Sequence, residues 1–338
     1  MDFSEPGPAA AARRRRIAVL YAIFLLSGFC GLIYESIWSH YLKMLLGHAA
    51  YAQAVVLVVF VGGLALGASI VGHFSERIRH PVIWYAVVEA AVALMAFAFQ
   101  GVFEKASWWA TSSFLPAACG SAPGSCSAAW LLAAALILPP SILLGTTFPL
   151  MSAGVIRLGV APGRGLSLLY FLNSTGAAAG VLASGFLLIP AFGLPGTILL
   201  AGACNVFVAL AAYLAVRVRA GSAPAPQGTA ALPQPAGGAP ELRLLLAVAA
   251  LTGLSSFVYE VVWIRMLSLV LGAATHAFEL MLAPFIFGLA IGAWWIRNRI
   301  DTSRDAMLLL ARIQVVMGLL AVSTLPLYAS LYDGMSFA

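Results

Sequence analysis

Two short stretches carry residues that could do chemistry. "YESIW" covers Tyr34–Trp38 and "YEVVW" covers Tyr259–Trp263. Each sets a glutamate beside a Tyr and a Trp inside a strongly apolar run. An ionisable side chain at the centre of a membrane helix costs about 2.5–3.5 kcal/mol on insertion scales, so it normally faces a bundle interior and a partner. A carboxylate with aromatic neighbours suits a small cation, through charge and cation–π attraction. The same groups could instead pin helix ends, with Glu35 and Glu260 bonding backbone or pairing His40, Lys43 or Arg265. Tyr and Trp near the interface would then be membrane anchors. The candidate ligand-binding residues are Glu35, Glu260, Tyr34, Tyr259, Trp38 and Trp263, with Glu89 as a further intramembrane acid and Glu279 as a fourth.

Spacing assigns these residues to faces. Gly28, Gly31, Glu35, Trp38 and Leu42 step by three and four, as do Gly253, Ser256, Glu260, Trp263 and Leu267. Each set shares one side of a helix. Small residues on the glutamate side imply close helix contact. Glu35 lies nineteen residues past Arg16, roughly 28 Å at helical rise, and Glu260 seventeen past Arg243, roughly 25 Å. Both are therefore expected near the far edge of a hydrocarbon core about 30 Å thick. Glu89 is eight residues past Pro81, roughly 12 Å in.

The elements that must position these residues are membrane helices. Of 338 residues, 62% are hydrophobic and 9% charged, with mean hydropathy +0.99. Soluble domains carry about 25% charged residues. Nine spans are expected: 17–40, 50–74, 81–104, 128–154, 166–190, 195–217, 242–265, 272–297 and 306–331. With the basic N-terminus 1–16 in the cytoplasm, fourteen of the eighteen basic residues fall in cytoplasmic segments. That bias obeys the positive-inside rule and explains the net charge of +6 by topology. The basic residues are spread over five loops without a patch, so nucleic acid is not an expected partner. The apolar run after Arg16 is too long for a cleaved signal peptide.

Residues 218–241 are rich in Pro, Gly and Ala and read as a flexible linker. They separate a six-helix unit, 17–217, from three helices, 242–338. Across that divide the chain repeats itself. Residues 26–68 and 251–293 align without a gap at an offset of 225, with seventeen of 43 positions identical. Tyr34/Tyr259, Glu35/Glu260, Trp38/Trp263, Gly63/Gly288 and Gly67/Gly292 are among them, and the offset continues to pair Glu89 with Gln314. Six helices lie between the copies, so both enter the membrane in the same direction. This is a parallel repeat of the kind relating the halves of major-facilitator transporters. The second copy holds only three helices, as if truncated.

The ordered motifs "GLIYESIWSHYLKMLLGHAAYAQAVVLVVFVGGLALGA", "LPPSILLGTTFPLMSAGV", "LLYFLNSTGAAAGVLASGFLLIPAFGL" and "TGLSSFVYEVVWIRMLSLVLG" resemble the membrane region of bacterial fused major-facilitator/spermidine-synthase-like proteins. The resemblance implies a major-facilitator-like bundle in a bacterial inner membrane. It also implies a neighbouring synthase-like domain or partner, and a polyamine-like cationic metabolite. A synthase domain with a nucleotide loop has no counterpart here. "GGLALGA" at Gly62–Ala68 lies mid-helix, whereas such a loop follows a strand and opens a helix. "GHFSERIRHP", Gly72–Pro81, is similar to the major-facilitator loop between the second and third helices, with Glu76 and Arg77 in place of Asp and Arg.

Other residues point to packing. Gly176, Gly180 and Ser184 recur at spacing four after "FLNSTG", and Pro139, Pro140 and Pro149 are expected to kink the fourth helix. Cys30 and Cys204 lie within spans, while Cys119 and Cys126 share the 105–127 loop, where a disulfide is permitted on the periplasmic side. No Ser/His/Asp set is assembled, and the five histidines lack metal-ligand spacing. Neither catalytic residues, a metal nor a cofactor is expected of this chain. Two functions fit: binding or passage of a small cation, or a non-transporting anchor for a synthase domain or partner protein.

Overall fold

The computed structural model describes residues 8–47, 49–74, 77–119, 127–217, 239–271, 274–299 and 305–336. The described residues are helical nearly throughout. The helices are α1 Pro8–Leu46, α2 Ala49–Phe74, α3 Pro81–Trp109, α4 Leu115–Cys119, α5 Ser127–Arg157, α6 Pro162–Ala183, α7 Ile189–Arg217, α8 Ala239–Leu271, α9 Ala274–Ile296 and α10 Ala306–Ser336. Two π-helical segments, Ala110–Phe114 and Ser184–Leu188, join α3 to α4 and α6 to α7. Eight helical stretches among the described residues are long and apolar enough to cross a membrane. They overlap every span expected from hydropathy.

Local signals set the helix boundaries. Pro81 and Pro162 occupy first-turn positions, where the missing N–H costs nothing. Gly47 ends α1 at φ 71°, and its N–H donates to the Lys43 carbonyl at 2.9 Å. The longest stretch, 162–217, is divided at Gly193, whose φ of 66° and ψ of 179° suit glycine alone. That break falls between the expected spans 166–190 and 195–217.

One expectation changes. Residues 105–119 were expected in a loop, but α3, the π-helical segment and α4 carry helix through them. Their mixed Trp, Phe and Ala content sustains a helix although hydropathy falls. Pro139, Pro140 and Pro149 all lie inside the helix Ser127–Arg157. Cys126, Glu76 and linker residues 218–238 lie outside the described residues, as does the Cys119 side chain. The expected disulfide and the Glu76 substitution fall there.

Helix α1 packs against α2, α5, α6 and α7, while α3 packs on α5 and α7. Small residues allow these approaches. A Cβ on Gly67 would lie 2.0 Å from the Ile142 carbonyl oxygen of α5, and one on Gly145 would lie 2.2 Å from that of Leu64. Gly176 and Gly180 press in the same way on Leu25 and Phe29 of α1. The last three helices attach mainly through α9 on α6 and α8 on α9. A separate small core forms there from Val181, Ile264, Phe278, Met281 and Leu282, with Leu32 of α1 and Trp263 packed against it. Large apolar side chains such as Leu94, Leu131 and Leu319 face outward, as lipid contact requires.

Candidate functional site

Both glutamates of the repeated boxes are buried. Glu35 on α1 is 3% exposed and Glu260 on α8 is 6% exposed. Their carboxylates lie within electrostatic reach of each other. One oxygen of each, Oε1, is buried without a hydrogen-bond partner among the described residues. Neither forms an ion pair there with His40, Lys43 or Arg265: the described ion pair is that of His276 with Glu279. Along α8, Glu260 and Ile264 are the buried residues among those described. The buried face of that helix therefore centres on its acid.

The aromatic partners repeat their geometry. Tyr34 stacks on Trp38 with ring centroids 5.7 Å apart and planes at 17°. Tyr259 stacks on Trp263 at 5.7 Å and 19°. A spacing of four places the two rings one above the other. The environments differ, however. Tyr34 and Trp38 are fully enclosed, and Trp38 touches Phe60 and Phe99, while Tyr259 and Trp263 are half-buried. A small apolar cleft borders Tyr34 and Trp38, lined also by Met95, Phe99, Pro140 and Ile198. Its free volume of about 10 Å³ is far below the range of roughly 300–1,000 Å³ typical of ligand pockets.

Glu89 belongs to a different cluster. It is fully buried on α3 and accepts from Ser27 Oγ of α1 at 2.5 Å and from Asn205 Nδ2 of α7. Asn205 Oδ1 in turn accepts from the Tyr34 hydroxyl at 2.8 Å. The interior acid thus ties three helices together, and Tyr34 turns its hydroxyl toward Glu89's network. In the last three helices Gln314 Nε2 donates to Thr252 Oγ1 at 2.7 Å. Thr252 and Gln314 stand 225 residues after Ser27 and Glu89. The same helix pair is bonded with an amide in place of the acid.

A third cluster surrounds Glu279 on α9. Ser36 Oγ of α1 donates to Oε1 at 3.3 Å, and His276 Nδ1 lies 3.2 Å from Oε2. Ser184 Oγ donates to Ser36 Oγ at 3.1 Å. Ser36, Ser184, His276 and Asn205 were not singled out from sequence as site residues. The acids signalled these places, while the spacing of Ser184 with Gly176 and Gly180 pointed to packing alone. Among the described residues no group of His, Cys, Asp and Glu side chains is arranged to hold a metal ion.

No protein-family model matches the chain, and no solved structure matches it. It is similar to a polyamine aminopropyltransferase of Oceanobacillus iheyensis, 25% identical over 196 residues. That match covers 58% of this chain and 35% of the relative, so the chain spans about a third of the length of the curated protein it matches.

Proposed function

We propose that the chain is the integral membrane module of a spermidine-synthase-like fusion protein, and that it binds or passes a small cation of the polyamine class between α1 and α8. The observation that carries this reading is the pair Glu35 and Glu260, both buried, within electrostatic reach, and each with an oxygen that has no hydrogen-bond partner among the described residues. Two buried carboxylates, with no ion pair to a cationic side chain among the described residues, are balanced by a proton or by a cation from outside the chain. Amines match that demand, and the stacks Tyr34–Trp38 and Tyr259–Trp263 offer aromatic faces beside it. The name of the curated relative, a polyamine aminopropyltransferase, supports the same ligand class.

The bundle is read as major-facilitator-like: nine spans, six in a first repeat and three in a second, in a bacterial inner membrane with the N-terminus in the cytoplasm. The matched stacking of the two boxes and the paired Ser27–Glu89 and Thr252–Gln314 contacts support a duplication. In this reading the described form is closed, since the cleft beside Tyr34 is small and apolar. The closed interior also supports a second reading, a non-transporting anchor for a synthase domain or partner protein.

Spermidine binding to the purified chain in lipid nanodiscs, and its uptake into proteoliposomes, separate the two. The cation reading expects saturable binding by the wild type and its loss in the Glu35→Gln/Glu260→Gln double variant, with unchanged yield in membranes. Equal binding by both proteins would defeat it. No binding by the wild type would leave the anchor.

A further inference from the structure

Glu279 stands at the junction between the last three helices and the first six. Its side chain has no exposed surface, while His276, one turn earlier on α9, leaves 52% of its side chain exposed. The imidazole therefore touches both the surroundings and a fully enclosed carboxylate. Phe186 stacks on that ring at 5.1 Å and 21°, fixing its plane. On the other side, the Ser184 and Ser36 hydroxyls form a donating chain that ends on Oε1. His40 lies within electrostatic reach, with its Nδ1 2.9 Å from the Ser36 carbonyl oxygen.

The backbone is shaped around this carboxylate. A Cβ on Gly185 would meet both carboxylate oxygens, so a larger residue there would have to push the Glu279 side chain aside. Gly185 belongs to the π-helical segment Ser184–Leu188. Single-turn π-bulges of this kind are frequent at functional sites. The glycine wall leaves no room for a hydrated ion on that side. His40 is turned to a backbone carbonyl, and no metal-ligating group of three forms among the described residues. The ligand that fits is the smallest cation.

We propose that Glu279 is a proton-binding site, loaded through His276, whose occupancy sets how firmly α9 is held to α1 and to the π-helical segment. The loading step balances simply. A hydronium ion gives a proton to Nε2 of His276 and becomes water, the Nδ1–H bond breaks as an O–H bond forms at Oε2, and a neutral imidazole protonated on Nε2 remains. The carboxylate then carries no charge. Its bond from Ser36 changes from charge-assisted to neutral, which roughly halves its strength. The α1–α9 contact loosens as the proton binds.

The groups that face Glu279 define the titration. On α9 it is His276, and on α1 it is His40. The π-helical segment offers Ser184, Gly185 and Phe186, none ionisable. Helix α8, packed on α9, carries the buried Glu260 and the exposed Arg265. The described side chains in the half of α2 that follows Gly47 include no ionisable group.

The test uses the full chain in nanodiscs. Difference infrared spectroscopy follows the carboxylic-acid carbonyl band as pH is lowered. Spin-label distances between α1 and α9 are measured over the same range. The expected result is a titrating band that Glu279→Gln removes and that Glu35→Gln/Glu260→Gln retains, together with a pH-dependent distance that Glu279→Gln holds at its low-pH value. Because the second variant removes the carboxylates of the cation site, failure of that site and failure of this one are distinguishable. If Glu279→Gln does not fold, His276→Ala carries the test. It should slow proton uptake after a pH step by about a hundredfold, the low end of what a positioned proton-transfer group contributes. A band unaffected by Glu279→Gln, a distance independent of pH, or uptake unchanged in His276→Ala would overturn the proposal.

Discussion

The hydroxyl of Ser27 on α1 donates to the Glu89 carboxylate on α3 at 2.5 Å, in a region where neither group meets water. The corresponding pair in α8 and α10, Thr252 and Gln314, is bonded at 2.7 Å. One contact uses an acid and the other an amide. The shared requirement is a polar tie between the first and third helices of each unit, for which a charge is optional. Glu89 differs by its second partner, Asn205, which draws α7 into the same network. No described partner of that kind meets Gln314.

Removing the Glu89 carboxylate should therefore act on stability. Glu89→Ala leaves the Ser27 hydroxyl and the Asn205 amide N–H buried without their acceptor, a cost of about 1–3 kcal/mol for each unsatisfied group. Glu89→Gln should cost less, because an amide serves the equivalent place at Gln314. Thermal unfolding in detergent, monitored by intrinsic fluorescence, checks both. Equal loss in the two variants would point to a need for the charge.

The glycines of the two units should respond differently to an added methyl. Gly67→Ala places a Cβ against backbone of α5 and should destabilise by about 1–3 kcal/mol, as overpacking does. Gly292→Ala meets nothing within 4 Å and should be neutral, or stabilising by up to about 1 kcal/mol from helix propensity. The same thermal assay compares them. Similar destabilisation by Gly292→Ala would mean that another surface covers α9 in the membrane.

The break at Gly193 should tolerate no other residue. Its φ of 66° with ψ of 179° is a glycine conformation. Gly193→Ala should cost about 1–3 kcal/mol in backbone strain. Reduced yield of folded protein by size-exclusion chromatography, without change in Gly101→Ala, is the expected outcome, because Gly101 is helical and meets nothing within 4 Å.

Orientation is checked by thiol labelling of intact cells. With the N-terminus in the cytoplasm, Cys119 and Cys126 should react with a membrane-impermeant maleimide from the periplasm, directly or after reduction. Cys30 is buried and should stay unlabelled. A cysteine placed in the 218–241 linker should react only after lysis. The reverse pattern would invert the topology.

Some of the site was legible in the chain itself. An acid repeated with its Tyr and Trp neighbours, in a sequence with few charges, marks Glu35 and Glu260 without any coordinates. The i, i+4 spacing also placed each Tyr over its Trp. The step of four in Gly176, Gly180 and Ser184 foretold a close helix contact, and α1 fills it. The loop expected at 105–127 shows the opposite case. Hydropathy measures preference for lipid, whereas a helix can continue past the membrane edge on propensity and backbone bonding alone.

Which acids share an environment could not be read from spacing. Glu35, Glu89 and Glu279 are alike as letters, yet they are respectively unpartnered at one oxygen, bonded to two other helices through Ser27 and Asn205, and set against Gly185. Those differences depend on contacts 62 to 243 residues apart in the chain. Sequence by itself determined that this is a membrane protein of long helices, with two matching glutamate boxes, because hydropathy, charge bias and repetition are local or self-referential. The tertiary structure alone decided which carboxylates meet, which are satisfied and which are walled in by glycine, because those facts arise only when separate helices pack.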